Sequence, residues 1–147
     1  MATVTMLVSL KIPDATALTA LRTLHEMGYK ELKGLQRATY YEFEYFGDEK
    51  KFKDAISKVD ILVNANKHLV AFGKPKQGVS IAVTDNEQGD GLKKTLKERL
   101  GITQVQSVTQ GTLWTFDVSG KKQEDLAKKM TEELLANVHY QSYRVVE

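Results

Sequence analysis

The sequence predicts an α+β protein: two tandem β-α-β-β-α-β copies with antiparallel sheets, residues 1–73 and 79–147, joined by a linker at 74–78. Three observations carry this. First, residues 3–72 line up with 76–145 without a gap at an offset of 73, which sets Gly28 on Gly101, Thr39 on Thr112, Phe43 on Phe116, Gly47 on Gly120, Leu62 on Leu135 and Asn64 on Asn137. Second, apolar residues in each half switch between period two and period 3.6, the spacings that keep one side of a strand or a helix on a core. Third, the shared Gly and Asn fall where elements should stop. A period this long reads as two copies of a small domain rather than a solenoid.

Each element has a local reason. Val4, Met6, Val8 and Leu10 alternate with Thr5, Leu7 and Ser9 as a strand does. Pro13 and Asp14 end it and open a helix, since Pro suits a first turn and Asp caps one. Ala17, Leu18, Leu21, Leu24 and Met27 recur at helical spacing, and Gly28 supplies the left-handed stop. Residues 32–38 and 40–46 are read as two strands with a turn or bulge near Ala38-Thr39. Gly47-Asp48 opens a second helix carrying Phe52, Ala55, Ile56, Val59, Leu62 and Val63, with Asn64 as its left-handed end. Residues 67–72 form the last strand.

The second half repeats the order. Its strands are marked by Val79, Ile81 and Val83, by 105–108, by 113–118 and by 139–146; its helices by Leu92, Leu96 and Leu100 before Gly101, and by Leu126, Met130 and Leu134 before Asn137. Between the halves, Gly73-Lys74-Pro75-Lys76-Gln77-Gly78 has the composition of a connector. The order is ferredoxin-like, an antiparallel sheet with two helices on one face. Halves this small have thin cores alone, so they are expected to pack together, by covering the open sheet face or by joining sheet edges.

Composition narrows the function classes. Net charge is +2 over 147 residues, with 10 basic and 9 acidic side chains in 1–73 and 11 and 10 in 74–147, so neither half is a basic nucleic-acid module. There is no cysteine, which removes disulfides, thiolate metal sites and thiol nucleophiles and suits a cytoplasmic setting. No apolar run reaches membrane-spanning length, and the N-terminus reads as a strand rather than a signal peptide. His25, His68 and His139 lack metal-ligand spacing and read as surface or packing residues. Gly89-Asp90-Gly91 reads as a helix cap rather than an anion cradle. Glu42 and Glu44 flank Phe43 on the solvent side of a strand, while Asp48, Glu49, Glu124 and Asp125 sit in first turns, where the helix dipole favours them. No catalytic residue, metal or cofactor is expected. The notable cluster is aromatic: Tyr40, Tyr41, Phe43, Tyr45 and Phe46 crowd one strand, and Trp114 and Phe116 occupy its counterpart. Core filling accounts for most; Tyr41 and Trp114 are the candidates for an interface.

The second half reads Asp85-Asn86-Glu87-Gln88-Gly89, Leu100-Gly101-Ile102, Val105-Gln106-Ser107-Val108-Thr109-Gln110-Gly111-Thr112 and Leu134-Leu135-Ala136-Asn137, with Tyr143 in the last strand. This resembles the PurS family, the small subunit of phosphoribosylformylglycinamidine synthase; the likeness is clear over 78–147 and fainter over 3–72. The family carries Arg and Lys where this chain has Thr109 and Thr112, and where the first half has Gln36 and Thr39; Arg37 is displaced by one, and Ala38 replaces a glycine. A contact made there by a basic side chain is lost or made otherwise. The resemblance implies a subunit without catalytic residues or cofactor of its own. It would dimerise and bridge a PurL-like synthetase and a PurQ-like glutaminase in an ATP- and glutamine-dependent, amidine-forming ligase of purine biosynthesis. A tandem chain is then a covalent version of the dimer, with further homodimerisation left open. Arg37, Tyr41, Thr39, Thr109, Gly111, Thr112 and Trp114 are the implied interface positions. The competing reading is a small-molecule-sensing or regulatory ferredoxin-like module, with a ligand site between the copies.

Overall fold

Alternation places the first strand. In the computed structural model, which describes residues 2–75, 77–85, 90–137 and 140–146, strand β1 (Ala2–Leu10) buries Val4, Met6 and Val8 on one face. Lys76, residues 86–89, on which the predicted cap at Gly89 falls, and His139 lie outside the described residues. Asp14 caps helix α1 (Ala15–Glu26) by accepting from the Thr16 and Ala17 amides at 2.9 and 3.2 Å. Gly28 follows with φ +103°, a left-handed stop that a side chain would strain. Strand β2 (Leu32–Tyr45), helix α2 (Glu49–Ser57) and strand β3 (His68–Phe72) complete the first half. The second half runs β4 (Val79–Asp85), α3 (Asp90–Glu98), β5 (Val105–Val118), α4 (Gln123–Met130) and β6 (Gln141–Val146), with α4 continuing into a π-helical turn, Thr131–Leu135.

Three local expectations are corrected. The paired strands predicted at 32–38 and 40–46 are one 14-residue strand, and so are those predicted at 105–108 and 113–118. Ala38-Thr39 lacks a residue that favours the positive φ of a tight turn, so the chain runs on extended. Helix α2 stops at Ser57, and Val59, Leu62 and Val63 are buried from the turns that follow it. Among the described residues no non-glycine has positive φ. Asn64 instead closes a turn, its carbonyl accepting from the Lys67 and His68 amides.

The six strands form one antiparallel sheet, ordered β3-β1-β2-β5-β4-β6. The halves therefore join by their edges, through the β2–β5 ladder. Its partners include Leu35↔Phe116, Thr39↔Thr112 and Phe43↔Val108. Shifting by the 73-residue offset turns the first pair into the third and leaves Thr39↔Thr112 on itself. That pair marks a pseudo-two-fold axis. The gapless alignment fails in β4: Val4 and Met6 face Phe43 and Tyr41, whereas Val79 and Ile81 face Phe116 and Trp114, so β1 and β4 correspond 75 residues apart.

Each core is drawn from both halves. One holds Met6, Phe43, Phe52 and Ile56 from the first half with Leu96, Val105 and Val108 from the second. The other holds Ile81, Phe116, Ala127 and Met130 with Ala17, Leu24, Leu32 and Leu35 from the first. Each is a ferredoxin-like unit whose first helix and following half-strand come from the opposite half of the chain. Phe52 anchors its core with two ring contacts, stacked on Tyr45 at 4.3 Å between centroids and edge-on to Phe43 at 5.6 Å. Leu96 of the second half, fully buried in the core that holds Met6, Phe43, Phe52 and Ile56, adds about 2 kcal/mol of transfer free energy there.

Candidate functional site

All seven sequence-chosen positions lie on the β2–β5 seam. Cα partners there are Arg37↔Trp114, Thr39↔Thr112, Tyr40↔Gly111, Tyr41↔Gln110 and Glu42↔Thr109. The seam has two faces. Arg37, Thr39 and Tyr41 share the helix-bearing face with Gln110, Thr112 and Trp114; Tyr40, Glu42, Thr109 and Gly111 share the open face. Tyr41 and Trp114 are buried in separate cores, Tyr41 stacked on Phe43 at 5.9 Å. Arg37, Thr39 and Thr112 are half-buried and Thr109 is exposed. The part of the seam that solvent reaches is thus a polar strip across the pseudo-axis on both faces, with the two aromatics beside it on the helix-bearing face.

Arg37 is fixed from an unexpected direction. Its Nε and Nη2 donate to Asp14 at 2.9 and 3.2 Å, so one carboxylate both caps α1 and clamps a strand. Such a fork is geometrically exacting and stronger than a neutral pair. The pairing had no signature in the sequence, because it depends on α1 reaching the far half of β2.

On the open face, Tyr40 is almost fully buried, donates to Glu42 Oε2 at 2.7 Å and accepts from Arg144 Nη2 at 2.7 Å. Arg144 also meets Glu42 at 2.7 Å. Burial, then the Glu42 hydrogen bond, pushes the Tyr40 hydroxyl up to about 12. At neutral pH it is a fixed donor, neither base nor nucleophile. Arg144 stands on β6, beyond β5 and β4 from Tyr40, and Gly111 lies between them. A Cβ on Gly111 would lie 2.2 Å from the Val83 carbonyl oxygen and 2.9 Å from Thr84 Cγ2, so the close strand approach requires glycine. Ser107 donates to Glu44 at 2.7 Å on the same face. Tyr29 of α1's exit bonds Glu133 at 2.6 Å, and burial with that bond raises its hydroxyl to about 12.

The histidines serve structure where they are described. His68 Nδ1 accepts from the Asn64 amide at 2.9 Å, and His25 Nε2 lies 2.6 Å from the Leu32 carbonyl. Among the described residues, no group of three or more His, Asp or Glu converges as a metal site, and no helix is long and apolar enough to cross a membrane.

Interleaved cores about a pseudo-two-fold axis, with the polar groups of the seam engaged in fixing strands, define a ferredoxin-like pseudo-dimer. Comparison with known families adds one likeness: residues 81–147 match the model of the PurS family, phosphoribosylformylglycinamidine (FGAM) synthase. That likeness covers most of the second half of the chain, from Ile81 in β4 onward. No curated protein matches the chain.

Proposed function

We propose that this chain is a non-catalytic bridging subunit that holds a PurL-like synthetase and a PurQ-like glutaminase together in the cytoplasm, and that residues 1–73 and 79–147 are two PurS-like copies fused by duplication. The observation that carries the reading is the PurS match over 81–147 on a body whose first half repeats the same order of strands and helices. The two-fold that a dimer would create by association is here built into one chain. Fusion raises the effective concentration of one copy beside the other and makes pairing independent of dilution.

The solvent-facing part of the seam supplies the contact strip, with Arg37, Thr39 and Thr112 on the helix-bearing face beside Tyr41 and Trp114, and Thr109 and Gly111 on the open face. Threonines at the family's basic positions make this a strip that recognises partners by hydrogen bonding and fit rather than by charge. The test is reconstitution with the two partner subunits. A ternary complex by sedimentation, and glutamine-dependent amidine formation that requires this chain, are the expected results. Amidine formation at full rate from the two partners alone, with no ternary species, would remove the bridge.

A further inference from the structure

Where β1 leaves the sheet, a groove opens. The β1–β2 ladder ends at Val8↔Thr39, and β1 then turns through Pro13 into α1. The remaining half of β2 is paired only to β5. The corner between them is a groove of about 640 Å³ walled by β1, α1 and the linker residues Gly73-Lys74-Pro75. A neighbouring hollow of about 400 Å³ shares Leu21, Leu35, Gln36 and Thr115 with it and continues toward Gly78. The size is that of a small-molecule site, for which roughly 300–1,000 Å³ is usual.

The walls are apolar and wet. Leu10, Ile12 and Leu18 on its rim are 37%, 71% and 47% exposed. Large aliphatic side chains gathered in one concavity gain from any apolar body that displaces water. The charged groups are unequally free. Asp14 is committed twice, to the α1 amides and to Arg37, and Arg37 is held by it. Lys74 donates to a neutral acceptor, the Val146 carbonyl at 3.4 Å. Among the described residues that line the groove, the charge left for a ligand is therefore one cation, Lys74, at the linker end of an apolar trough.

We propose that this groove binds a small amphipathic monoanion, an apolar chain or ring system carrying one carboxylate, with the apolar body between α1 and the sheet and the carboxylate on Lys74. The groove shares Arg37 with the contact strip of the bridging reading, but the carboxylate is assigned to Lys74, outside that strip, so neither reading depends on the other.

The experiment is an NMR titration of the intact, ¹⁵N-labelled chain with decanoate and, in parallel, with the uncharged decanol. Decanoate should give saturable shifts at Ala38, Ala71 and Lys74, and decanol should bind the same residues about tenfold more weakly. Lys74→Glu should weaken decanoate about tenfold and leave decanol unchanged. Ala71 is exposed at the groove wall, so Ala71→Trp should fold, as its spectrum will report, and should block both. No saturable shift with decanoate up to about 1 mM, shifts centred on another surface, or equal effects of Lys74→Glu on both probes would overturn the proposal. Failure of both probes together with loss of partner binding in Ala71→Trp would overturn it in favour of a protein-docking groove. Reconstitution without any added ligand reads the bridging role alone, so the two failures are distinguishable.

Discussion

The interleaving of the halves is open to a direct attack through Leu96. Its side chain is fully buried, belongs to α3 of the second half, and lies in the core that holds Met6, Phe43, Phe52 and Ile56 of the first. Leu96→Ala removes three carbons and leaves a cavity that close-packed neighbours fill only in part, at about 3–4 kcal/mol. That is a large share of a net stability of about 5–15 kcal/mol. For a chain of this length it corresponds to a fall in Tm of roughly 6–12 °C. Urea unfolding with an unchanged m-value reads the magnitude, and methyl NMR reads the location. The shifts should fall on Met6 and Ile56 and spare Ile81 and Met130, although the latter share Leu96's half of the chain. Leu24→Ala in α1 should do the reverse, disturbing Ile81 and Met130. A loss below about 1 kcal/mol, or shifts kept within the mutated half, would refute the composite cores.

Three further outcomes follow from particular contacts. Asp14→Ala removes a cap and the clamp on Arg37 together and should lower stability by about 2–3 kcal/mol in denaturant melts, while Asp14→Asn, which still caps, should lose about half of that. Gly111→Ala drives a Cβ against the Val83 carbonyl oxygen and should cost about 2–4 kcal/mol; Gly34→Ala, whose Cβ would meet nothing nearer than 3.7 Å, is the matched control and should be near neutral by the same melts. Tyr29 and Tyr40 are held at about 12 against an ordinary 10. Their contribution is intact below pH 10 and is lost as pH rises from 10 to 12, where the unfolded chain ionises and the native chain resists. Stability against pH should therefore fall less steeply in Tyr40→Phe than in the parent over that window, by up to about 1.4 kcal/mol per pH unit.

What the sequence disclosed and what it withheld divide along a physical line. The Asp14 cap, the Gly28 stop, the alternation in β1 and the burial of Phe43 and Phe116 are properties of a few neighbouring residues, and each was legible. The end of α2 was not, because Val59, Leu62 and Val63 keep a helical spacing while being buried from turns. The long strands were missed for a deeper reason. A β-branched and aromatic run such as 32–45 carries the same pairing surface whether it folds back on itself or continues to meet its counterpart in the other half. Gly111 fell between the strands predicted at 105–108 and 113–118 and is instead the place inside β5 where β4 comes close. The clamp of Asp14 on Arg37, and the reach of Arg144 to Tyr40 across 104 residues, depend on which half each helix and strand covers, and local spacing does not encode that.

The exchange of parts also decides what the linker is for. Both cores lose a helix and a strand if the halves separate, so the halves are held by burial and not by residues 74–78. A connector is unnecessary for cohesion, yet it determines which copies meet. Separate halves of this kind could pair with themselves, since Thr39 and Thr112 are identical and the central ladder is self-complementary under the pseudo-two-fold. The features that differ, Arg37 against Gln110 at equivalent places and the Asp14 clamp on one of them, would then appear twice or not at all. Joined in one chain they appear once, on one side of the axis. The result is a two-fold frame with one-sided chemistry, which would let the bridging subunit proposed above present different surfaces to two different partners.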